Sequence, residues 1–151
     1  MHGDSHFTIQ EIKRDSLLYH QAVSLRYALF FEALGLPKSI VHDEKEAKSF
    51  HYSVSKDDTL VAYGRLSETD VAQMQISQMV VSPEFQRQGH GESLLRYMIE
   101  QAKSTGVRKL HLAARLHAVP LYTKLGFETI GEPYNSVLTD VAHIKMVNTT
   151  D

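Results

Sequence analysis

"QMQISQMVVSPEFQRQGHGESLL", residues 73–95, holds a strand whose alternation breaks, a corner with two glycines, and the start of a helix. Met74 and Ile76 share one face of the strand, while Met79 and Val81 fall on the opposite parity. A β-bulge around Ser77, Gln78 and Met79 takes up the odd residue. A strand buried on both faces also loses its alternation, so the pattern admits either reading. Beyond the corner, Leu94, Leu95, Met98, Ile99 and Ala102 form the apolar stripe of a helix that Gly106 ends.

A helix N-terminus presents unpaired N–H groups and about half a positive charge, so anions settle there. Glycines let the backbone approach an oxygen closely and adopt positive φ. Gly89 and Gly91 meet both needs, and three phosphate-binding patterns compete for them. A triphosphate loop needs Gly-Lys followed by Ser or Thr, but Gly91 precedes Glu92 and Ser93. A dinucleotide loop needs a third glycine where this chain has Leu94. The remaining form, Gln86-x-x-Gly89-x-Gly91, suits a pyrophosphate lying across successive amides. A bare tight corner is the other reading.

Working outward, residues 7–13 read as a first strand, with Asp15 and Ser16 capping a helix whose face is Leu18, Ala22, Leu25 and Leu29. Gly35 and Pro37 end that helix. Residues 38–48 are polar, with Asp43, Glu44 and Glu46, and read as a loop or short helix. Residues 50–55 and 59–66 form a hairpin turning at Lys56-Asp57-Asp58, and Asp70 begins the turn into the bulged strand. Residues 109–113 are a strand and 119–125 a short helix, with Pro120 in its first turn and Gly126 as its stop. Residues 127–130 and 142–147 read as the last two strands. Interleaved strands and helices predict one α/β or α+β domain over residues 1–151.

Composition narrows the function. A net charge of −2, from 16 basic and 18 acidic side chains, predicts no nucleic-acid partner. The absence of cysteine excludes disulfides, thiolate zinc sites and a cysteine nucleophile. No apolar run is long enough for a membrane span, and MHGDSHF lacks a signal-peptide core, which together predict a soluble cytoplasmic protein. His2 and His6 read as part of a polar end, with metal contact as the alternative.

The run "QISQMVVSPEFQRQGHGESLLRYMIEQA", residues 75–102, resembles the acetyl-coenzyme A binding core of GNAT-type N-acetyltransferases. "AVPLYTKLGF", residues 118–127, resembles their short helix with a tyrosine before a Leu-Gly-Phe corner. "LRYALFFEALGLP" and "VAHIKM" also look like a small bacterial branch that includes ElaA-like proteins. The resemblance implies a mixed, largely antiparallel sheet with helices on both faces and two parallel strands splayed at the bulge. It implies that Met79, Val80 and Val81 pair their backbone with the pantetheine arm of acetyl-CoA. With Gln86 opening the motif, Arg87, Gln88, Gly89, His90, Gly91 and Glu92 would wrap the pyrophosphate. Tyr122 would hydrogen-bond the departing thiolate. Two departures stand out: Ala113, Ala114 and Arg115 replace the Asn or Gln common in the strand after the long helix, and Gln73, Gln75 and Gln78 occupy the strand that often carries a glutamate base.

Acetyl transfer needs a neutral amine, an oxyanion binder and a hydrogen-bond donor for the thiolate. A backbone N–H near Val80 is the expected oxyanion donor. A phenol near pKa 10 and a thiol near 8.5 make full proton transfer uphill by about 2 kcal/mol, so Tyr122 is expected to act by hydrogen bonding. Among His51, His111, His117 and His143, the last sits on the strand bordering the acceptor cleft in this family and is the candidate base. The histidine spacing matches no ligand pattern, predicting no metal. Glu32 and Asp43 are either acceptor-binding or simply solvated. The function expected is an acetyl-CoA dependent N-acetyltransferase for a small-molecule or peptide amine, with a homodimer suggested by the family. A non-catalytic coenzyme A sensor is the alternative.

Overall fold

The computed structural model describes residues 6–149, so His2 lies outside the described residues. A seven-stranded sheet runs in the order β1-β2-β3-β4-β5-β7-β6. The strands are β1 (Thr8–Ile12), β2 (Phe50–Lys56), β3 (Thr59–Asp70), β4 (Gln73–Val81), β5 (Lys109–Arg115), β6 (Glu128–Asn135) and β7 (Ala142–Thr149). Every neighbouring pair is antiparallel except β4 with β5. The expected mixed, largely antiparallel fold is therefore present.

Two helices cover opposite faces. On β2, Tyr52 and Val54 point one way, toward helix α2 (His90–Ser104), whose Leu94, Leu95 and Met98 are fully buried. Burying each such side chain contributes roughly 1.5–3 kcal/mol. His51, Ser53 and Ser55 alternate to the other face and are buried as well. That face is covered by α1 (Leu17–Arg26) and the polar segment after it, with Ile12, Tyr19, Ala22, Val23 and Tyr63 forming a second cluster. Ser16 caps α1 as expected, its hydroxyl accepting from the Tyr19 N–H at 3.2 Å.

Several boundaries move. The first helix leaves α geometry at Arg26 and passes through a wide π turn, Tyr27–Phe31, before Gly35 closes it at φ 71°. Residues 38–48 hold two short 3-10 turns, Lys38–Val41 and Glu46–Lys48. Strand β3 outruns its apolar pattern because Ser67, Glu68 and Asp70 still pair with Gln75, Met74 and Gln73. Strand β6 continues past Gly131 and Pro133, which a bulge between Ile130 and Tyr134 accommodates on an exposed edge. The short helix α3 spans Val119–Lys124. Among the described residues no helix is long and apolar enough to cross a membrane.

Candidate active site

Parallel pairing between β4 and β5 covers Gln73↔Lys109, Met74↔Leu110 and Gln75↔His111, and then stops. From Ile76 onward the β5-facing edge of β4 has no ladder partner among the described residues. The strands part to form a cleft of about 650 Å³. Ser77, Gln78, Met79 and Val80 line one wall, and Leu112, Ala113 and Arg115 the other. Leu29, Phe30 and Phe31 from the π turn close one side, while Ser136, Leu138 and Thr139 from the β6–β7 connection reach the same space.

The bulge foreseen from parity lies in this wall. Tyr63 pairs with Val80 and Arg65 with Ser77, so Gly64 faces both Gln78 and Met79. Gln78 adopts a left-handed backbone, φ 60°, which costs an ordinary residue about 1–2 kcal/mol. A Cβ at Gly64 would lie 2.5 Å from Met79 Sδ and 2.6 Å from Met98 Sδ. Glycine is what lets the Met79 side chain tuck beneath the bulge.

Behind the bulge sits a buried ionic network. Glu46, in the polar segment read as a loop or short helix, is 1% exposed. Arg26 grips it through two bonds, 2.8 and 2.9 Å, and Arg65 adds a third at 2.8 Å. The Tyr19 hydroxyl donates to the same carboxylate at 2.6 Å. Burial alone would raise the Glu46 pKa, but hydrogen bonds from Arg26 and Tyr19 and the Arg26 charge bring it down to about 2. Arg65 also donates to Ser77 Oγ at 3.0 Å, and Arg26 to Gln78 Oε1 at 3.3 Å. The network therefore grips two residues of the bulge directly. His51 belongs here: its Nε2 lies 3.0 Å from the Glu46 carbonyl, which can only accept. Nδ1 then accepts from Tyr63 Oη, and burial pushes the His51 pKa down, keeping the ring neutral.

The glycine corner lies where β4 ends. Arg87 and Gly89 are left-handed, φ 63° and 87°, and Gly89 is the N-cap of α2. A Cβ at Gly91 would come within 3.4 Å of Val81 Cγ2, so the helix starts tightly against the strand end. The first N–H groups of α2 have no intrahelical partners. The His90 ring turns away to pack on Phe7 and Phe85, leaving its backbone N–H to the corner. The Glu92 side chain bonds Lys124 and Arg96, both at 3.0 Å, and these hydrogen bonds lower its pKa. Gln86 Nε2 donates to the Val81 carbonyl at 3.1 Å, an interaction that any partner strand at this point must share or displace.

Met79, Val80, Val81, Gln86, Tyr122 and His143 all line the cleft, whereas Arg87 to Glu92 form the corner beside it. Tyr122 packs edge-on against Phe127 at 5.9 Å, and burial raises its pKa. His143 Nδ1 lies 2.8 Å from the Val141 carbonyl and must donate to it, so the neutral ring carries its lone pair on Nε2. Of the other histidines, His117 lines the cleft, His111 bonds Thr69 at 2.9 Å, and His51 is locked in the network. Sequence reasoning missed Phe30, Arg115, Ser136, Leu138 and Thr139 as cleft residues, and Glu46 as a buried anchor. For Arg115 a signal was present: a charged residue at the end of a strand that otherwise alternates cleanly.

The sequence profile of the acetyltransferase (GNAT) family matches residues 10–127. A UPF0039 protein of Schizosaccharomyces pombe is 29% identical over 108 residues, covering 69% of this chain and 70% of that one. A [ribosomal protein bS18]-alanine N-acetyltransferase of Salmonella typhimurium is 31% identical over 77 residues, covering 49% of this chain and 51% of that one. Among solved structures, a Lactobacillus plantarum protein described as an N-acetyltransferase superposes with TM-score 0.83 at 19% identity, covering 96% of this chain and 99% of that one. Escherichia coli ElaA superposes with TM-score 0.80 at 24% identity, covering 95% and 99%. The structural likenesses show the fold.

Proposed function

The chain belongs to the acetyltransferase (GNAT) family and is an acyl-CoA N-acetyltransferase, and we propose that it moves the acetyl group of acetyl-CoA to a primary amine of a small molecule or peptide by direct attack in a ternary complex. The observation that carries this is the unpaired edge of β4 from Ile76 to Val81, running from the bulge to the glycine corner. An extended pantetheine amide chain pairs with such an edge as a further strand would, and a pyrophosphate meets the free N–H groups of residues 87–92. The residues present thus fit the cosubstrate at both ends.

In this scheme the amine nitrogen attacks the thioester carbonyl, forming the C–N bond as the C–S bond breaks. The Ser82 N–H donates to the Val61 carbonyl, and the same register turns the Val80 N–H toward Tyr63. The oxyanion is therefore stabilised by the N–H groups beside Val80 that face the open edge of β4. His143 Nε2, held as acceptor by the Nδ1–Val141 bond, takes the amine proton directly or through water. Tyr122 keeps its proton because burial raises its pKa, and donates a hydrogen bond to the leaving sulfur. Acetyl-CoA supplies the activated acyl group.

We further propose that the enzyme is cytoplasmic and metal-independent, and that it acts on a small-molecule or peptide amine and not on nucleic acid. Light scattering distinguishes the homodimer from a monomer. The decisive test is thiol release from acetyl-CoA across a broad amine panel, with mass spectrometry of the product. A mass gain of one acetyl group on an amine is expected. Tight coenzyme A binding with no turnover on any amine would favour a sensor instead, a reading supported by the lack of an acidic residue among the described residues of the cleft lining.

A further inference from the structure

Among the described residues, those lining the cleft include no aspartate or glutamate. They do include Arg115, which takes part in none of the ion pairs among the described residues. Its guanidinium lies over the Phe30 ring, 5.4 Å from the centroid, a contact that joins the tip of β5 to the π turn. Stacking on a ring face leaves the planar edge of the guanidinium free, and that edge matches a carboxylate with two parallel hydrogen bonds. A second cation stands near the inner end, where Lys45 Nζ donates to the cleft residue Gln75 at 2.6 Å. The two arginines behind the bulge are already balanced by Glu46 and Asp43.

A polycationic acceptor, such as a polyamine or an aminosugar, finds no carboxylate here and meets uncompensated positive charge. An acceptor with its own carboxylate meets the reverse. The spacing narrows the choice further. Arg115 and His143 are direct partners in the β5–β7 ladder, and directly opposed residues have Cβ atoms about 4.5–5.5 Å apart. Both side chains therefore leave the same face of the sheet from neighbouring positions, and one small acceptor can meet the two together. Resting on the transferase reading above, we propose that the acceptor is a free amino acid, whose carboxylate is held by Arg115 while its amine is presented to His143.

The test compares each free amino acid with its carboxamide, alongside spermidine, kanamycin and a blocked-C-terminus tripeptide, by steady-state acetylation. At least one amino acid is expected to exceed its own amide about 30- to 100-fold in kcat/KM, the range of a charge-assisted bidentate pair. Arg115→Gln is expected to bring that ratio within about threefold, mainly through KM, and Arg115→Lys to restore part of it. Coenzyme A binding by both variants verifies that they fold. Equal turnover of acid and amide, a better rate with spermidine, kanamycin or the tripeptide, or an Arg115→Gln effect that strikes acid and amide alike would overturn the proposal while leaving the transferase intact. Bound acetyl-CoA with no acceptor turned over would overturn the transferase reading, and this inference with it.

Discussion

Arg26 donates from Nε to the Gln78 side-chain oxygen over 3.3 Å, so a guanidinium at the end of α1 holds the left-handed residue of the bulge. The same arginine is fixed by Glu46, which also holds Arg65. Replacing Glu46 by glutamine leaves two buried guanidinium groups without their shared countercharge. Such a loss costs about 3–5 kcal/mol. Urea unfolding of Glu46→Gln should show that drop, and the KM for acetyl-CoA should rise as the bulge loosens. A drop below about 1 kcal/mol would mean that the network is not holding the fold.

Acid should act through the same carboxylate. The folded pKa of Glu46, about 2, lies below its ordinary value of 4.5, so its stabilisation is complete above pH 4.5 and is lost as pH falls toward 2. At about 1.4 kcal/mol per unit, that amounts to about 3 kcal/mol. His51 is also lowered, so its contribution begins to fall below pH 6.5. Unfolding midpoints at pH 7, 5, 4 and 3 should decline more steeply in the native chain than in Glu46→Gln. Parallel declines would assign acid sensitivity to other groups.

At the corner, Gly89→Val places a branched side chain on a left-handed residue where the pyrophosphate is expected to lie. Calorimetry should show acetyl-CoA binding weakened at least 30-fold with the circular dichroism spectrum unchanged. Normal affinity would move the cosubstrate elsewhere.

Tyr122→Phe should lower kcat about 10- to 100-fold while changing the KM for acetyl-CoA less than twofold, because it deletes one hydrogen bond to the developing thiolate. His143→Gln should likewise act on kcat and spare cosubstrate binding. An unchanged kcat in either variant removes that residue from the chemistry.

Gly64→Ala forces a methyl group against Met79 and Met98, and overpacking of this kind typically costs 1–3 kcal/mol. Adding Met98→Ala should recover part of the loss in a double-mutant cycle. Simple additivity would show that the clash is relieved elsewhere.

The bulge was legible because a strand has period two, and Met74 and Ile76 cannot share a face with Met79 and Val81 unless one residue is extruded. The corner was legible because Gly89 and Gly91 open an amphipathic stripe. Glu46 was not, since its partners Tyr19, Arg26 and Arg65 lie 19 to 27 residues away and nothing local marks a carboxylate for burial. Its segment looks like any charged loop. His51, Ser53 and Ser55 alternate with Tyr52 and Val54, yet their polar face is buried because α1 and the Glu46 turn cover it. The extension of β6 was hidden by Gly131 and Pro133, which usually end strands and are tolerated here at an edge.

Among the described residues three rungs, Gln73↔Lys109 to Gln75↔His111, stitch β1–β4 to the β5-β7-β6 half of the sheet. The seam resembles a zipper left mostly undone. Whatever fills the gap becomes a structural strut as well as a reactant. Its departure after turnover should therefore leave the amides bordering the open stretch exchanging with solvent faster than those of either half.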